Sequence, residues 1–300
     1  MRALVLLGLL ALLAVAGCGD GGAAAADGRV TVVATTTQVA DLARNVAGTH
    51  ARVVQLLAPN ADPHEYELRP HDMRAVADAD LVLRSGGDVD EWLDEAIDGS
   101  GTTAPVVTLS DEIGLHGDDP HWWQDPRNAV TATAAIGRAL DRVDPAHKTA
   151  YDRNASHYRT ELQRLDRDVA RCIDKVPPAQ RKLVTTHDAL GYYARRYGIE
   201  VIGTVIPSLS TEGQPSAGDT AKLIATIRAT GVKAIFAESS VNPKVEAAIA
   251  QETGAKVGPP LWADTLGPEG SDGATYVQSI ESNTKALAGG FTGGAVSCSF

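Results

Sequence analysis

The sequence predicts an α/β protein of two lobes, each with a mostly parallel sheet flanked by helices. Three observations lead to this prediction. Strand and helix patterns alternate over residues 29–144, a rhythm that is typical of parallel sheets. A long helical pattern follows over residues 145–176, and the alternation then restarts within residues 177–300. A chain of 300 residues is also long enough for two compact lobes, each with its own core.

The first alternating stretch contains four predicted strands. Residues 30–34 are mostly β-branched, as in a strand that is buried on both faces. Thr35, Thr36 and Thr37 then offer N-caps for a helix over residues 38–47. The other predicted strands cover residues 51–57, 80–84 and 105–109. The other predicted helices cover residues 71–79, 89–97 and 128–143, and residues 110–126 are expected to form a loop.

The long helical pattern repeats its apolar positions every three to four residues. These positions are Tyr151, Tyr158, Leu162, Leu165, Val169 and Cys172. Pro177 and Pro178 end the pattern, because proline cannot continue a helix. The residues by themselves allow either one long helix or two separate helices.

The second alternating stretch has fewer and shorter strand patterns. Its predicted strands cover residues 183–186, 199–205 and 234–237, with short extended pieces at residues 256–257 and 261–262. Its predicted helices cover residues 188–197, 215–229, 243–253 and 274–288. The glycine- and serine-rich tail, residues 289–300, is expected to be irregular.

Composition and charge exclude several classes of protein. Hydrophobic residues make up 44% and charged residues 22% of the chain, as in ordinary soluble globular proteins rather than disordered or membrane-embedded ones. The formal net charge of −11 disfavours nucleic acids and anionic lipid surfaces as partners, and it mildly favours the attraction of cations.

The N-terminus predicts export. Residues 1–17 contain one basic residue and then an apolar run that is too short to span a membrane comfortably, as in a secretory signal peptide. This run ends on Val15, Ala16, Gly17 and Cys18, which together resemble a bacterial lipobox. That resemblance implies a lipid on Cys18. Residues 19–28 have no periodicity, so residues 18–28 are predicted to form the lipidated cysteine and a flexible tether. The alternative is an ordinary signal peptide that is cleaved nearby.

Four polar residues point to a metal site. His64 lies in a loop bounded by prolines, and for one histidine alone an exposed loop position would be the simpler interpretation. The Asp-Pro-His arrangement around His64 recurs at His121, and His187 and Asp264 add donors of the same chemistry. Three imidazoles and one carboxylate suit a borderline divalent cation such as Zn(II).

The predicted topology brings these four residues together. His64, His187 and Asp264 each follow a predicted strand, and His121 lies in the loop after another strand. Ligands of open α/β sheets gather at the carboxyl ends of the strands. Because each predicted lobe supplies two of the residues, we expect a metal site in the cleft between the lobes.

Four motifs around these residues resemble, in their order and spacing, those of the metal-binding lipoproteins that supply zinc or manganese ABC importers. The motifs cover residues 62–66, 119–126, 187–192 and 264–267, and the resemblance runs over about residues 1–290. It implies that one rigid helix, residues 145–176, links the two lobes. It also implies a monomeric carrier, lipid-anchored outside the cell membrane, whose partners are an ABC permease and its ATPase.

The resemblance also bears on the metal. In that family a histidine at the position of His187 is typical of zinc-type members, whereas manganese-type members often have a glutamate there. His187 therefore implies Zn(II) as the transported ligand, with Mn(II) as the alternative. Many zinc-type members carry a long histidine-rich acidic loop before the second histidine, and residues 109–119 depart from this pattern because their only histidine is His116. His116 is the candidate accessory ligand.

Two other classes of protein stay open from the residues alone. A zinc enzyme would need an open coordination position for water, and Asp264 fills the fourth position here. The sequence also lacks a His-Glu-x-x-His motif and a Gly-x-Ser-x-Gly nucleophile elbow. We therefore expect a carrier rather than an enzyme, and a surface adhesin with an incidental metal is the other alternative.

Two cysteines remain once Cys18 is assigned to the lipid. In an exported chain, Cys172 and Cys298 favour a disulfide over free thiols. The alternative is a pair of small buried hydrophobic side chains.

Several other polar and aromatic residues are predicted to serve the structure. Glu238 follows a predicted strand and is expected to support the site rather than bind the metal. Trp122, Trp123, Tyr192 and Tyr193 are expected to pack around the site. Surface positions are expected for His50, His71, His147 and His157.

Overall fold

The structure is a computed structural model that describes residues 28–300, so the predicted signal peptide and Cys18 lie outside the described residues.

A four-stranded parallel sheet forms in the first half of the chain, residues 29–144. The strands are β1 (Val30–Ala34), β2 (Ala51–Gln55), β3 (Leu81–Arg84) and β4 (Val106–Thr108). They lie in the order β2-β1-β3-β4. The helices are α1 (Thr37–Ala47), α2 (Pro70–Ala77), α3 (Trp92–Ser100), α4 (Leu109–Ile113) and α5 (Pro126–Val143).

The starts of α1 and α5 follow from their first residues. The Thr36 side chain accepts a hydrogen bond from the backbone N–H of Val39 and caps α1. The Asp125 side chain caps α5 in the same way through Arg127, and Pro126 occupies the first turn, where its missing N–H costs no helical hydrogen bond. The helix predicted over residues 128–143 therefore begins at Pro126.

The long helical pattern forms one uninterrupted helix, α6 (Lys148–Ile173), of 26 residues. A short 3₁₀ turn, Pro145–His147, precedes it. The apolar positions that the sequence places on one face are all buried: Tyr151, Tyr158, Leu162, Leu165, Val169 and Cys172. This face packs on α1 and α5 of the first half. The alternative of two separate helices is wrong.

The second half of the chain, residues 177–300, repeats the parallel α/β pattern. Its strands are β5 (Lys182–Thr185), β6 (Glu200–Thr204), β7 (Ala234–Ile235) and β8 (Lys256–Val257). Its helices are α7 (Gly191–Tyr197), α8 (Ala217–Thr230), α9 (Lys244–Thr253) and α10 (Tyr276–Thr292). Parallel pairs form between β5 and β6 and between β7 and β8. A parallel bridge from Thr185 to Phe236 joins the two pairs.

The largest hydrophobic core is shared by the two halves. Alternate residues of each sheet face it, for example Val32 and Ala34 of β1, and Leu183 of β5. The intervening residues, such as Val33 and Val184, face smaller outer cores, one for each sheet. The shared core exists because α6 packs on α10 of the second half as well as on the first half. Each lobe therefore has a core of its own, as the sequence predicts, and the two lobes also share a larger one.

Two expectations differ from the structure. Residues 109–113 are helical, although residue 109 was expected to end a strand and residues 110–113 to lie in a loop. Buried Leu109 packs in the shared core, and the N–H of Ser110 donates to the carbonyl of Ser85. Helix α10 continues to Thr292 rather than ending at residue 288. Gly290 permits this extension, since a Cβ there would lie 2.3 Å from the ring of Phe236.

A disulfide joins Cys172 near the end of α6 to Cys298 in the C-terminal tail, with the Cα atoms 5.7 Å apart. After α10, residues 293–300 form neither helix nor strand, and Val296, Cys298 and Phe300 of this tail pack against the shared core. The prediction of an irregular tail is therefore confirmed for residues 293–300 but not for residues 289–292, which belong to α10. The disulfide fastens this tail to the long helix. Within residues 28–300, no helix combines the length and the apolar character that crossing a membrane requires.

Candidate metal centre

The four predicted site residues converge where the two halves of the chain meet. His64 lies in the loop between β2 and α2, and His187 follows β5 directly. Asp264 follows Leu261, which pairs in parallel with Glu238. His121 lies between α4 and α5, so a short helix separates it from β4. The four side chains offer one donor atom each, and all four atoms lie within 4.8 Å of one another.

A hydrogen bond from its backbone to a side chain of the same loop fixes the position of His64. The N–H of His64 donates to Oδ1 of Asp62 at 3.0 Å, two residues earlier. The other oxygen of Asp62 accepts a hydrogen bond from the Thr211 hydroxyl at 2.7 Å, which reaches across from the second half. The His64 side chain is only 3% exposed. The loop histidine is therefore buried rather than displayed to solvent.

The orientation of the His121 ring is set by Asp119. Nδ1 of His121 lies 2.9 Å from Oδ1 of Asp119, and the same oxygen accepts from the His121 backbone N–H at 3.1 Å. Because an ionised carboxylate only accepts hydrogen bonds, Nδ1 carries a hydrogen, and Nε2 is the ring nitrogen that faces the cluster. The Asp-Pro-His spacing is the sequence signal for this contact, although the sequence predicted no separate role for Asp119.

Glu238 does the same for His187. Oε1 of Glu238 lies 2.8 Å from Nδ1 of His187 and accepts from the His187 backbone N–H at 3.1 Å. Nε2 of His187 is thus free to face the centre of the site. Carboxylates behind ligating histidines are a recurrent feature of metal sites, because they fix the tautomer and increase the basicity of the ring.

The donor atoms surround one small volume. Oδ2 of Asp264 lies 3.2 Å from Nε2 of His187 and 3.5 Å from Nε2 of His64. Oδ1 of Asp264 lies 3.5 Å from Nε2 of His121, and the Nε2 atoms of His121 and His187 are 3.3 Å apart. Nε2 of His64 and both oxygens of Asp264 are buried without a well-aligned hydrogen-bond partner among the described residues. Buried polar atoms normally have partners, so this arrangement fits a cation that accepts their lone pairs.

Burial and charge act together on the pKa values of the site. Burial alone would lower the pKa of His187, but the charges of Asp264 and Glu238 raise this pKa well above the ordinary imidazole value. Burial would raise the pKa of Asp264, yet the neighbouring His187 and His121 lower it well below the usual carboxyl value. Asp264 is therefore ionised, and a cation that enters the site must displace a proton from His187.

The other histidines lie outside this cluster. The backbone N–H of His116 donates to the hydroxyl of Tyr192, and the two rings are 5.5 Å apart. His50 and His147 stack on one another at 4.5 Å between ring centroids. His157 lines a groove beside α6. His116 thus contacts Tyr192 rather than joining the four clustered side chains.

The sequence predicted only packing roles for Trp123 and no role for Gln124. In the structure both side chains donate hydrogen bonds to the carbonyl of Ala263, at 2.8 and 2.7 Å. They therefore hold the backbone next to Asp264. Their position two and three residues after His121 is the one signal that could have connected them with the site.

Comparison with known proteins places the chain in a family. The sequence model of the family described as "Zinc-uptake complex component A periplasmic" matches residues 32–290. The manganese-binding lipoprotein MntA of Bacillus subtilis is 32% identical over 298 residues, covering 93% of this chain and 97% of the relative. The zinc-binding protein TroA of Treponema pallidum is 31% identical over 277 residues, covering 88% and 89%. The iron-binding protein YfeA of Yersinia pestis is 31% identical over 268 residues, covering 87% and 86%.

A solved structure supports the same assignment. The periplasmic zinc-binding protein TroA from Treponema pallidum superposes with a TM-score of 0.82 at 28% identity, and the match covers 88% of this chain and 99% of that one. The two lobes of parallel sheet, the long helix and the predicted class of carrier are thereby confirmed. The chain belongs to the zinc-uptake component A family of metal-binding, substrate-binding proteins of ABC transporters, which are transport proteins rather than enzymes.

Proposed function

We propose that this carrier captures Zn(II) through His64, His121, His187 and Asp264 and delivers it to an ABC permease driven by an ATPase. The observation that supports this proposal is the set of four buried donor atoms within 4.8 Å, three of them imidazole nitrogens. Nitrogen-rich sites of four ligands suit zinc, whereas manganese more often takes oxygen ligands. The metal is the cargo here, and it remains bound only until it is transferred.

Manganese is the second candidate because of one feature of Asp264. Both of its oxygens lie within 3.5 Å of histidine nitrogens. Neither oxygen has a well-aligned hydrogen-bond partner among the described residues. A carboxylate that offers both oxygens would give a fifth donor, which a larger and harder cation accepts more readily. Relatives are named for manganese, zinc and iron, so the names alone favour none of these metals.

Metal analysis followed by competition separates the two candidates. The protein is purified without chelators, its metal content is measured, and the loaded protein is then dialysed against mixtures of zinc and manganese. We expect one equivalent of zinc, and equimolar manganese should fail to displace it. Recovery of manganese that zinc does not displace would establish the second candidate instead. Absence of either metal, with no binding in titration, would contradict the proposed cargo.

We further propose that the carrier is a monomer held at the outer face of the cell membrane by a lipid on Cys18. The support is the lipobox-like run from Val15 to Cys18 and the description of several relatives as lipoproteins. Several acyl chains on one residue anchor stably, whereas a single chain does not. The anchored carrier would then meet its permease at the membrane surface.

A further inference from the structure

The segment that carries Asp264 belongs to the second half of the chain, yet it is held mainly by the first half. Trp262 is still fastened to α10, because the Asn283 side chain accepts from its N–H and donates to its carbonyl, both at 2.8 Å. The backbone hydrogen bonds of Ala263 and Leu266, in contrast, are made with residues of the first half. The change of partners thus falls between Trp262 and Ala263, two residues before the carboxylate.

Two buried side chains of the first half hold the peptide just before Asp264. Nε1 of Trp123 and Nε2 of Gln124 both donate to the carbonyl oxygen of Ala263, at 2.8 and 2.7 Å. Ala263, Trp123 and Gln124 are each at most 2% exposed. A carbonyl oxygen has two lone pairs, and here both are used by side chains two and three residues after His121 in the sequence.

The first half also holds the backbone after Asp264. The N–H of Leu266 donates to the hydroxyl of Thr37 at 2.8 Å. The carbonyl of Leu266 accepts from the backbone N–H of Asn60 at 3.0 Å. The backbone one residue before and two residues after Asp264 is therefore fixed to the same half that supplies His64 and His121.

This backbone attachment matters because, within residues 28–300, the Asp264 oxygens contact only the three imidazoles of the cluster, which are themselves the other metal ligands proposed here. The two Asp264 oxygens lack a well-aligned hydrogen-bond donor among the described residues. In contrast, His121 and His187 are each oriented through their second ring nitrogen. A ligand whose side chain has no outer hydrogen-bond partner depends on the backbone that carries it for its position.

We propose that Trp123 and Gln124 position Asp264 for metal binding, which rests on the proposed function of the site. Neither side chain contacts the metal position itself. By fixing the carbonyl of Ala263 relative to His121, the two residues set the distance between the Asp264 carboxylate and the imidazole nitrogens. Without either donor the protein still folds, but the position of Asp264 relative to the imidazoles becomes less well fixed.

Two conservative variants test this positioning role. Trp123→Phe keeps an aromatic ring in the core and removes the indole N–H, and Gln124→Met keeps the approximate side-chain shape and removes the amide. Each variant is loaded with Co(II), whose visible bands weaken when four-coordinate geometry is lost, and the dissociation rate of zinc is measured. We expect weaker Co(II) bands and zinc dissociation that is about 10-fold faster or more, the range seen for outer partners of ligands.

Matched controls distinguish positioning from a general loss of stability. Trp122→Phe also removes a buried indole N–H, but this N–H donates to Ser85, away from Asp264. Asn283→Leu releases Trp262 on the side of α10. We expect both controls to lower the melting temperature of the metal-free protein while the Co(II) spectrum stays like that of the wild type.

The outcomes separate this inference from the proposed function. Wild-type spectra and zinc dissociation rates in both Trp123→Phe and Gln124→Met would overturn the positioning role, as would equal spectral changes in the two controls. If only one test variant folds, its spectrum and rate alone decide the question. Failure of the wild-type protein to bind Co(II) or Zn(II) in a one-to-one ratio would instead overturn the proposed function.

Discussion

His121 and His187 each use one ring nitrogen to hold a carboxylate, and this leaves the other nitrogen directed at Asp264. His64 reaches the same place from a loop whose backbone is fastened by Asp62. At the scale of single residues, the site is thus a set of donor atoms whose positions are fixed before any cation arrives. Such preorganisation lowers the cost of assembling the ligands on binding.

Removal of any one clustered side chain should weaken metal binding strongly. We expect His64→Ala, His121→Ala, His187→Ala and Asp264→Ala each to lose more affinity than the roughly 10- to 100-fold that loss of an outer partner costs. His157→Ala serves as the control, because that ring lies in a groove beside α6 and should leave the affinity unchanged. Calorimetric titration with zinc measures each affinity. A variant with wild-type affinity would show that its residue is not a ligand.

The charge of Glu238 should contribute to affinity through His187. Burial raises the pKa of Glu238. Its Oε1 atom nevertheless accepts a hydrogen bond from Nδ1 of His187, so this oxygen carries no proton. Glu238→Gln keeps the shape and removes the negative charge, so we expect a roughly 10- to 100-fold loss of zinc affinity. Glu246→Gln is the matched control, since this equally buried carboxylate accepts from the Thr186 hydroxyl. Equal losses in both variants would contradict a specific role for Glu238.

The proposed lipid is attached to Cys18 alone. We expect Cys18→Ala to abolish labelling by a radioactive fatty acid, and the protein should leave the membrane fraction or stay unprocessed. A variant at Cys172, paired with Cys298 in the structure, provides the control and should still be labelled. Normal labelling of the Cys18 variant would contradict the proposed anchor.

At the scale of elements, α6 organises the packing. Its buried face contributes to a core that also contains residues of β1, β5, α7 and α10. The disulfide fastens the tail beyond α10 near the C-terminal end of this helix. The helix is thereby tied to the second half both by packing against α10 and by a covalent bond.

The disulfide should contribute to stability but not to metal binding. It closes a loop with a sequence separation of 126 residues. In the chain-entropy account, a loop of that size stabilises the folded state by about 4–5 kcal/mol. We expect reduction to lower the melting temperature clearly, while zinc affinity stays unchanged because both cysteines lie outside the four clustered side chains.

A double variant provides the control for reduction. Cys172→Ser with Cys298→Ser should melt at the lower temperature in the absence of reductant and should not respond to it. Differential scanning calorimetry of both proteins, with and without reductant, measures the effect. Equal melting temperatures of the oxidised wild type and the double variant would contradict a stabilising role for the disulfide.

At the scale of the whole molecule, the shared core predicts cooperative unfolding. Because α6 and the largest core run through both halves, neither half can lose its packing without exposing apolar surface of the other. We expect one calorimetric transition, with coincident loss of helical signal and of tryptophan fluorescence. The reporters lie in both halves, with Trp122 and Trp123 in the first and Trp262 in the second. Two resolved transitions would contradict this expectation.

Metal binding should raise the temperature of that single unfolding transition. A ligand that binds only the folded state stabilises it by about 2.7 kcal/mol when its concentration is 100 times the dissociation constant. Zinc should therefore shift the whole transition, because both halves supply the clustered side chains. The Asp264→Ala variant serves as the control and should show a much smaller shift.

Local patterns were sufficient for much of the fold. Apolar runs located the strands, helical spacing located α6 and its buried face, and the order of the elements indicated two parallel sheets. Local motifs also identified four candidate metal ligands: His64, His121, His187 and Asp264. The reason is that periodicity, helix caps and loop chemistry depend on residues that are close in the chain.

Contacts between distant segments were decided only by the tertiary structure. The sequence did not reveal that one core joins both halves, that α10 continues past two glycines, or that Trp123 and Gln124 hold the peptide before Asp264. Nor could local patterns place Glu238 against His187, because 51 residues separate them. These contacts depend on how sheets and helices pack, and packing is set by the whole set of interlocking side chains rather than by any single stretch.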